Sequence, residues 1–234
     1  MRRVAFLVVA LLLPSSAVVA DSGFDQHFTG DTMRLDYFHT GTAEFEHLSL
    51  DRARIEGPWP GSRTKLLDDT NLGKYRFEVV DIASNQVIYS RGFASIYGEW
   101  ETTGEAGQGI VRTIPEAVRF PEPRQPIQVR LYKRGSDQLF TELWTTRIDP
   151  ASRFVHRAAV SERPVGAVLE NGDPAIKVDL VILGDGYTQQ EMEKYHRDAR
   201  LAAEDLFSHD PFASRKTDFN VWTVDAPAAE SGIS

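Results

Sequence analysis

The chain has 234 residues, of which 41% are hydrophobic and 26% charged, and these are ordinary values for a globular protein. Its 26 basic and 34 acidic residues give a net charge of −8, so no overall field favours nucleic acid or anionic lipid as a partner. The sequence has no cysteine, which excludes disulfides, thiol nucleophiles, iron–sulfur clusters and thiolate zinc sites. The folded state must therefore be stabilised by packed cores.

The N-terminal residues have the composition of a secretion signal. Two arginines precede an unbroken apolar run over 4–13, and small residues then lead up to Asp21. This pattern predicts a signal peptide over 1–20 that is cleaved between Ala20 and Asp21. The apolar run is too short to span a bilayer as a mature helix. We therefore expect a secreted or periplasmic protein with no membrane span after cleavage, the alternative being a retained membrane anchor.

Residues 24–149 show the pattern of an all-β domain. Apolar side chains recur at every second position in short runs, which is typical of half-buried strands. The first run contains Met33, Leu35 and Tyr37, and a later one is predicted to extend through Tyr97. Ala83-Ser84-Asn85 and Arg134-Gly135-Ser136-Asp137 are predicted hairpin turns, and Pro115, Pro121, Pro123 and Pro126 would interrupt any helix. These features predict a β-sandwich of roughly eight strands.

Trp59 lies in a stiff loop, because Pro58 and Pro60 fix the backbone on both sides of it. Two interpretations are open for this indole. It is either a plug that closes one end of the sandwich or a platform that stacks on a sugar or a peptide. The plug is favoured because a buried or half-buried tryptophan is commoner than a ligand-binding one.

Residues 150–174 have weak periodicity and polar turns, so they are predicted to be a linker. The pattern changes at 175–234, where an apolar strand over 177–183, an amphipathic helix and a second strand over 219–224 follow one another. Strand, helix and strand predict a βαβ unit with two parallel strands.

The predicted helix has a clear start and end. Thr188 and Glu191 form a predicted capping box, and Asp210-Pro211 is predicted to stop the helix. Its apolar stripe consists of Met192, Tyr195, Ala199, Ala202 and Leu206. Two parallel strands and one helix cannot bury both faces of a sheet, so we expect the α/β part to be incomplete as given. Four residues are then expected to be partly uncovered: Val181, Ile182, Val221 and Trp222.

The loop formed by Gly184, Asp185, Gly186 and Tyr187 follows the first strand of the unit, where sites gather in α/β sheets. A Gly-Asp-Ser esterase would need a serine where Gly186 stands. A haloacid-dehalogenase-like phosphatase would need an aspartate where Tyr187 stands, and a phosphate loop would need a lysine that is absent. The loop is therefore either a structural turn, with Asp185 favouring the helix dipole, or part of a substrate cleft.

No metal site or catalytic residue can be assigned from the sequence. None of the six histidines is followed by glutamate, so the chain has no His-Glu-x-x-His helix. His196 lies beside the apolar stripe of the predicted helix, where a solvated or half-buried histidine is commoner than a metal ligand.

Several motifs occur together in a defined order. In the predicted sandwich they are Asp36-Tyr37-Phe38-His39-Thr40-Gly41, Gly57-Pro58-Trp59-Pro60-Gly61-Ser62, Asn71-Leu72-Gly73-Lys74-Tyr75, Tyr89-Ser90-Arg91-Gly92-Phe93 and Gly98-Glu99-Trp100. They resemble the N-terminal domain of the bacterial IgA peptidase family of zinc metallopeptidases. In the α/β part they are the run 178–188, Asp210-Pro211-Phe212, Phe219-Asn220-Val221-Trp222 and Ala229-Glu230-Ser231-Gly232. These resemble the opening of the catalytic domain of that family.

The resemblance implies a secreted zinc endopeptidase with a β-sandwich in front of a zincin-like catalytic domain. In such enzymes a His-Glu-x-x-His helix binds zinc, and its glutamate activates the metal-bound water. No position here matches that helix, so neither a catalytic residue nor a zinc ligand is carried over. We expect zinc, and a protein or peptide substrate, in a full-length relative.

The favoured hypothesis is therefore the N-terminal portion of such an enzyme, with no activity of its own. The first alternative is a secreted, non-catalytic β-sandwich binding module that uses the Trp59 loop. The second is a degenerate Gly-Asp-Ser-type esterase, which the glycine at position 186 weakens. The sequence does not define the substrate or the oligomeric state.

Overall fold

The computed structural model describes residues 23–159 and 163–232. The strands are β1 (Phe28–Gly41), β2 (Glu46–Pro58), β3 (Tyr75–Asp81), β4 (Gln86–Phe93), β5 (Arg112–Pro123), β6 (Ile127–Arg134), β7 (Phe140–Ile148), β8 (Val155–Arg157), β9 (Val165–Leu169), β10 (Val178–Leu183) and β11 (Phe219–Val224). The α-helices are α1 (Phe24–His27), α2 (Ile96–Trp100), α3 (Gly104–Gly107) and α4 (Met192–Leu206). Short 3-10 helices cover Pro174–Ile176, Gln189–Glu191 and Ala213–Asp218.

The predicted signal peptide over 1–20 and its cleavage site between Ala20 and Asp21 lie outside the described residues. Among the helices that the structure describes, none is both long enough and apolar enough to cross a membrane.

The N-terminal part is a sandwich of two four-stranded sheets. One sheet has the order β5-β1-β2-β8 and the other has the order β4-β3-β6-β7. Alternate side chains of the two sheets meet in one core, which includes Met33 and Leu35 of β1, Phe77 of β3, Phe120 of β5 and Val129 of β6. Period-two strands bury one face in this way because successive side chains point to opposite sides. The predicted β-rich sandwich is confirmed.

The two predicted hairpins are confirmed by the pairing of β3 with β4 and of β6 with β7. The predicted strand through Tyr97 is wrong beyond Phe93. Ser95 instead caps helix α2, where its hydroxyl accepts a hydrogen bond from the amide of Gly98. Three alternating residues do not distinguish a strand from a capped helical turn. Here the serine cap stabilises the helical turn.

The prolines predicted to exclude a helix lie on an edge strand. Pro115, Pro121 and Pro123 belong to β5, which among the described strands pairs with β1 alone. A proline has no N–H group, so it is tolerated at an edge where one side of the strand has no partner. The same prolines also make this edge less able to pair with a strand of another chain.

Two strands lie inside the segment 150–174 that the sequence predicts to be a linker. β8 pairs in parallel with β2, and β9 pairs antiparallel with β11. The linker prediction is wrong for these residues. Runs of three and five residues are too short to show a clear period, so it is the pairing with distant strands that makes them extended.

The α/β part is a three-stranded sheet with the order β10-β11-β9. β10 and β11 are parallel, with Leu180 opposite Val221, and α4 connects them. The predicted parallel strand–helix–strand unit is therefore present, and β9 adds a third strand that the sequence did not predict. The stripe of α4 buries Ala203 rather than Ala202, and the helix ends at Leu206.

Helix α4 covers one face of this sheet. Val221 faces the helix and is only 1% exposed, beside Ala203 and Phe207. The expectation that Val221 would be uncovered is therefore wrong, because the helix stripe packs directly over it. Val181 is 54% exposed, as expected for the opposite face, and Trp222 is half-buried there.

Candidate functional site

The candidate site lies where the two parallel strands of the α/β part end. The loop over 184–188 follows β10, and the loop over 225–232 follows β11, so both emerge at the same edge of the sheet. We call these two segments the edge loops. Asp185 and Gly186 of the first loop and residues 228–232 of the second line a cavity of about 380 Å³, and the side chain of Asp185 is exposed.

Two backbone hydrogen bonds tie the edge loops together, and a third bond ties the second loop to Glu191 at the start of the helix. The amide of Gly232 donates to the carbonyl oxygen of Gly186 over 2.9 Å, and the amide of Ala228 donates to that of Tyr187 over 2.8 Å. The Ser231 hydroxyl donates to Oε1 of Glu191 over 2.8 Å. The loop after β11 is therefore fixed against the loop after β10 by its backbone as well as by a side chain.

Glycine is required at two positions of the Gly-Asp-Gly turn. A Cβ atom on Gly184 would lie 2.7 Å from the ring of Tyr195. Gly186 has a φ of +71°, and a Cβ atom there would lie 2.3 Å from the carbonyl oxygen of Gly232. A serine at 186 would meet the same obstruction, so the geometry does not support the esterase alternative.

Tyr187 is held by the helix that follows it. Its hydroxyl donates to Oδ2 of Asp198 over 2.8 Å, and the ammonium group of Lys194 contacts the same oxygen at 2.8 Å. The hydrogen bond to Asp198 raises the pKa of Tyr187, and the hydrogen bonds from Lys194 and Tyr187 lower the pKa of Asp198. These contacts hold the phenol in its neutral form and make it an anchor of the loop.

The predicted capping box is present and has a second role. Oε2 of Glu191 accepts the amide of Thr188 over 2.9 Å and its hydroxyl over 2.8 Å. The hydrogen bond from the Thr188 amide, followed by that from Ser231, lowers the pKa of Glu191. The carboxylate of Glu191 therefore caps the start of the helix. It also connects the two edge loops, because it accepts hydrogen bonds from Thr188 and from Ser231.

The sequence did not reveal the pair formed by His196 and Asp225. Nε2 of the imidazole lies 2.7 Å from Oδ1 of the carboxylate, and the ring lies 5.3 Å from that of Tyr195. Asp225 directly follows β11, and α4 brings His196 over the end of that strand. The contact could have been predicted by placing the predicted helix over the carboxyl ends of both strands, because that brings the helix close to the residue after the second strand.

The described residues do not fit a zinc ion. Across 23–159 and 163–232, no group of three or more histidine, aspartate, glutamate or cysteine residues is placed to hold a metal. His196 and Asp225 provide one imidazole and one carboxylate, whereas zinc sites need three or four converging ligands. We therefore assign no chemical step at the edge loops to a metal.

Trp59 directly follows β2 and is half-buried at one end of the sandwich. Its ring packs against the core and meets the ring of Tyr89 edge to face at 5.8 Å. Its Nε1 donates to the carbonyl oxygen of Ser62 over 3.3 Å. This geometry favours the plug over the stacking platform, because the indole is already in contact with core residues and with its own loop.

The fold and the site together define a two-part protein, a β-sandwich followed by the βαβ unit that carries the edge loops. Its sequence matches the family described as Peptidase M64 N-terminus over 23–145 and the family described as IgA Peptidase M64 over 167–234. The chain belongs to the IgA peptidase M64 family, a family of metallopeptidases. The resemblance seen in the sequence motifs is thus confirmed. No curated protein matches the sequence.

Replacing Gly186 with alanine is expected to destabilise the edge loops by about 1–2 kcal/mol, because an L-residue is strained in the left-handed region and Cβ would displace Gly232. Hydrogen exchange at the amides of Ala228 and Gly232 measures this effect. Gly107→Ala is the matched control, since it lies in helix α3 with open space around it and should be neutral or slightly stabilising. Unchanged amide protection in Gly186→Ala would contradict the prediction.

Proposed function

We propose that this chain is the N-terminal portion of a secreted zinc metallo-endopeptidase of the IgA peptidase type. The observation that carries the proposal is the order of the two family matches, one on the sandwich and one on the α/β part. In this proposal the sandwich precedes the catalytic domain, and the edge loops belong to the first βαβ unit of that domain. The substrate class is protein or peptide.

The open face of the three-stranded sheet supports the assignment of the α/β part as the start of a larger, zincin-like domain. Val165 is 63% exposed, Val181 54% and Leu183 69%, and all three lie on the side opposite α4. Trp222 and Val224 complete this apolar surface. Contiguous exposed apolar area of this kind marks a contact surface, and we assign it to further elements of the catalytic domain.

The zinc ligands and the catalytic groups, in this proposal, lie outside the 234 residues. The sequence has no His-Glu pair, and the described residues hold no suitable group of ligands. What these residues supply is structural: two parallel strands, the helix between them and loops that are fixed at the edge of the sheet. The 234-residue chain is accordingly not expected to cleave peptides by itself.

The gene itself tests the proposal. Sequencing past the codon of Ser234 is expected to show an open reading frame that encodes His-Glu-x-x-His, in which two histidines one helical turn apart face one zinc ion. A stop codon with no such motif in any downstream frame would contradict the proposal. The secreted binding module would then be the better account.

Export can be tested separately. N-terminal sequencing of protein recovered from the periplasm or the medium is expected to begin at Asp21. Protein that remains in the cell with residues 1–20 attached would contradict secretion and leave the family assignment unaffected.

A further inference from the structure

A buried cluster of charged side chains joins the two sheets at one end of the sandwich, far from the edge loops in sequence. His39 lies on β1 and its side chain is 1% exposed, between Glu46 at the start of β2 and Glu116 on β5, whose side chains are 9% and 7% exposed. The opposite sheet contributes Lys133 of β6, which forms ion pairs with Glu46 and with Glu101. Neither the proposed function nor the family assignment gives this cluster a role.

The geometry around His39 favours a doubly protonated imidazole. Its Nε2 lies 2.8 Å from a carboxylate oxygen of Glu46, and its Nδ1 lies 3.1 Å from a carboxylate oxygen of Glu116. A neutral imidazole has only one N–H group, so its other nitrogen would face a carboxylate with a lone pair. Two donors directed at two carboxylates are the property of an imidazolium ion.

The charges in the cluster balance only when His39 is protonated. Its cations are then His39, Lys74 and Lys133, and its anions are Glu46, Glu101 and Glu116. Loss of the imidazolium proton would leave one buried carboxylate without a compensating charge. Leaving one partner of a buried ion pair uncompensated is strongly destabilising.

The cluster also holds the segment over 95–107, which we call the α2 segment. The ring of Tyr97 stacks on the ring of His39 with 3.8 Å between centroids and 12° between planes. The amide of Tyr97 donates to Oε1 of Glu116 over 3.0 Å, and Lys74 donates to the carbonyl oxygen of Gly98 over 3.1 Å. These contacts attach the α2 segment to groups of the charged cluster, alongside the hydroxyl of Tyr97, which donates to the carbonyl oxygens of Thr42 and Phe45.

We propose that His39, Glu46 and Glu116 form a pH-sensitive clasp, which holds the α2 segment on the sandwich while His39 is protonated and releases it when that proton is lost. The contacts between the clasp and this segment are the stacked ring of Tyr97 and the hydrogen bond from its backbone amide to Glu116. The protonation of His39 therefore determines whether the α2 segment stays ordered on the surface of the sandwich.

The direction of the pH dependence follows from the neighbours of His39. Burial opposes its charge, but the hydrogen bonds to Glu116 and Glu46 outweigh burial and raise the pKa of His39. The stabilisation is complete below the ordinary imidazole pKa and is lost as the pH rises through the raised value. Burial likewise opposes ionisation of Glu46 and Glu116, yet the hydrogen bonds from His39 lower both carboxyl pKa values. The clasp also weakens, therefore, in strong acid.

Three buried tyrosines and Lys133 also face the cluster, and the pKa of each of them is raised. Tyr75 donates its hydroxyl to Glu46, and burial raises the pKa of that phenol, as it also does for Tyr37. Burial raises the pKa of Tyr97 to about 12. Burial opposes the charge of Lys133, but hydrogen bonds to Glu101 and Glu46 outweigh it and raise the pKa. His39 is accordingly the group of this cluster that changes charge at the alkaline end of the clasp.

Two measurements on the full chain test the clasp. In ¹⁵N NMR spectra recorded as the pH is raised, both ring nitrogens of His39 are expected to keep their protons above the ordinary imidazole pKa. Hydrogen exchange of the α2 segment, corrected for the intrinsic pH dependence, is expected to accelerate by about tenfold or more as His39 titrates, while β3 and β6 stay protected. In His39→Gln the α2 segment should already exchange fast at pH values at which His39 of the wild-type chain is still protonated. His47→Gln is the matched control, because His47 is exposed on the same strand as Glu46 and should behave like the wild type.

Loss of one ring proton of His39 at or below the ordinary imidazole pKa would overturn the proposal. So would protection of the α2 segment that is independent of pH, or that is lost only together with β3 and β6. Because the NMR measurement uses the wild-type chain, it decides the protonation state even where His39→Gln does not fold.

Discussion

Replacing Phe120 with alanine is expected to lower the free energy of unfolding of the sandwich by about 3–5 kcal/mol. Phe120 is fully buried on β5 of one sheet, and its ring meets the ring of Phe77 on β3 of the other sheet at 6.1 Å. Truncation removes apolar contact and leaves a cavity between the two sheets. Urea denaturation followed by far-ultraviolet circular dichroism measures the loss.

The matched control is Phe45→Ala, because Phe45 is 55% exposed and contributes little to the core. Its effect is expected to be within about 0.5 kcal/mol of zero. Equal midpoints for Phe120→Ala and Phe45→Ala would show that the two sheets do not share the core described here.

Replacing Tyr195 with alanine is expected to destabilise the α/β part by a similar amount, about 3–5 kcal/mol. Tyr195 is 2% exposed on α4, and its hydroxyl donates to the carbonyl oxygen of Ile182 over 2.6 Å. Its ring also packs against Gly184 and lies 5.4 Å from that of Tyr187. Loss of this side chain separates the helix from the end of β10, which is where the edge loops begin.

The indole NMR signal of Trp222 reports on this part of the chain, because its Nε1 donates to Asp179 of β10 over 2.6 Å. Its loss on urea titration should come at clearly lower concentrations in Tyr195→Ala than in the wild type. Tyr195→Phe keeps the ring and removes only the hydroxyl, so it is expected to cost about 1 kcal/mol. If alanine and phenylalanine have the same effect, ring packing is not what fixes the helix.

The features that the sequence predicted are those with a strong local signal. Met33, Leu35 and Tyr37 alternate within a 14-residue strand, and the β3–β4 turn carries Asn85 in the left-handed region. The capping box of Thr188 and Glu191 is equally local. Each pattern is contained in a few consecutive residues, so it predicts the element without knowledge of the topology.

The features that the sequence did not predict depend on distant pairing. β8 and β9 exist because β2 and β11 offer them an edge, and their own residues show no period. Helix α4 covers Val221. The sequence of the strand does not by itself show which of its two faces the helix covers. His39 and Glu116 are 77 positions apart, and only the pairing of β1 with β5 brings them together. Their contact required the fold.

Zinc content is the most direct test of the central claim, that these residues supply structural parts of a metallopeptidase but not its zinc ligands. Elemental analysis of the purified 234-residue chain, after dialysis against zinc-free buffer, should give far less than one zinc per chain, and a protein substrate should show no chelator-sensitive cleavage. Stoichiometric zinc is expected instead in a longer polypeptide of the kind proposed above, if it carries His-Glu-x-x-His. One tightly bound zinc per 234-residue chain, or cleavage that EDTA abolishes, would contradict it.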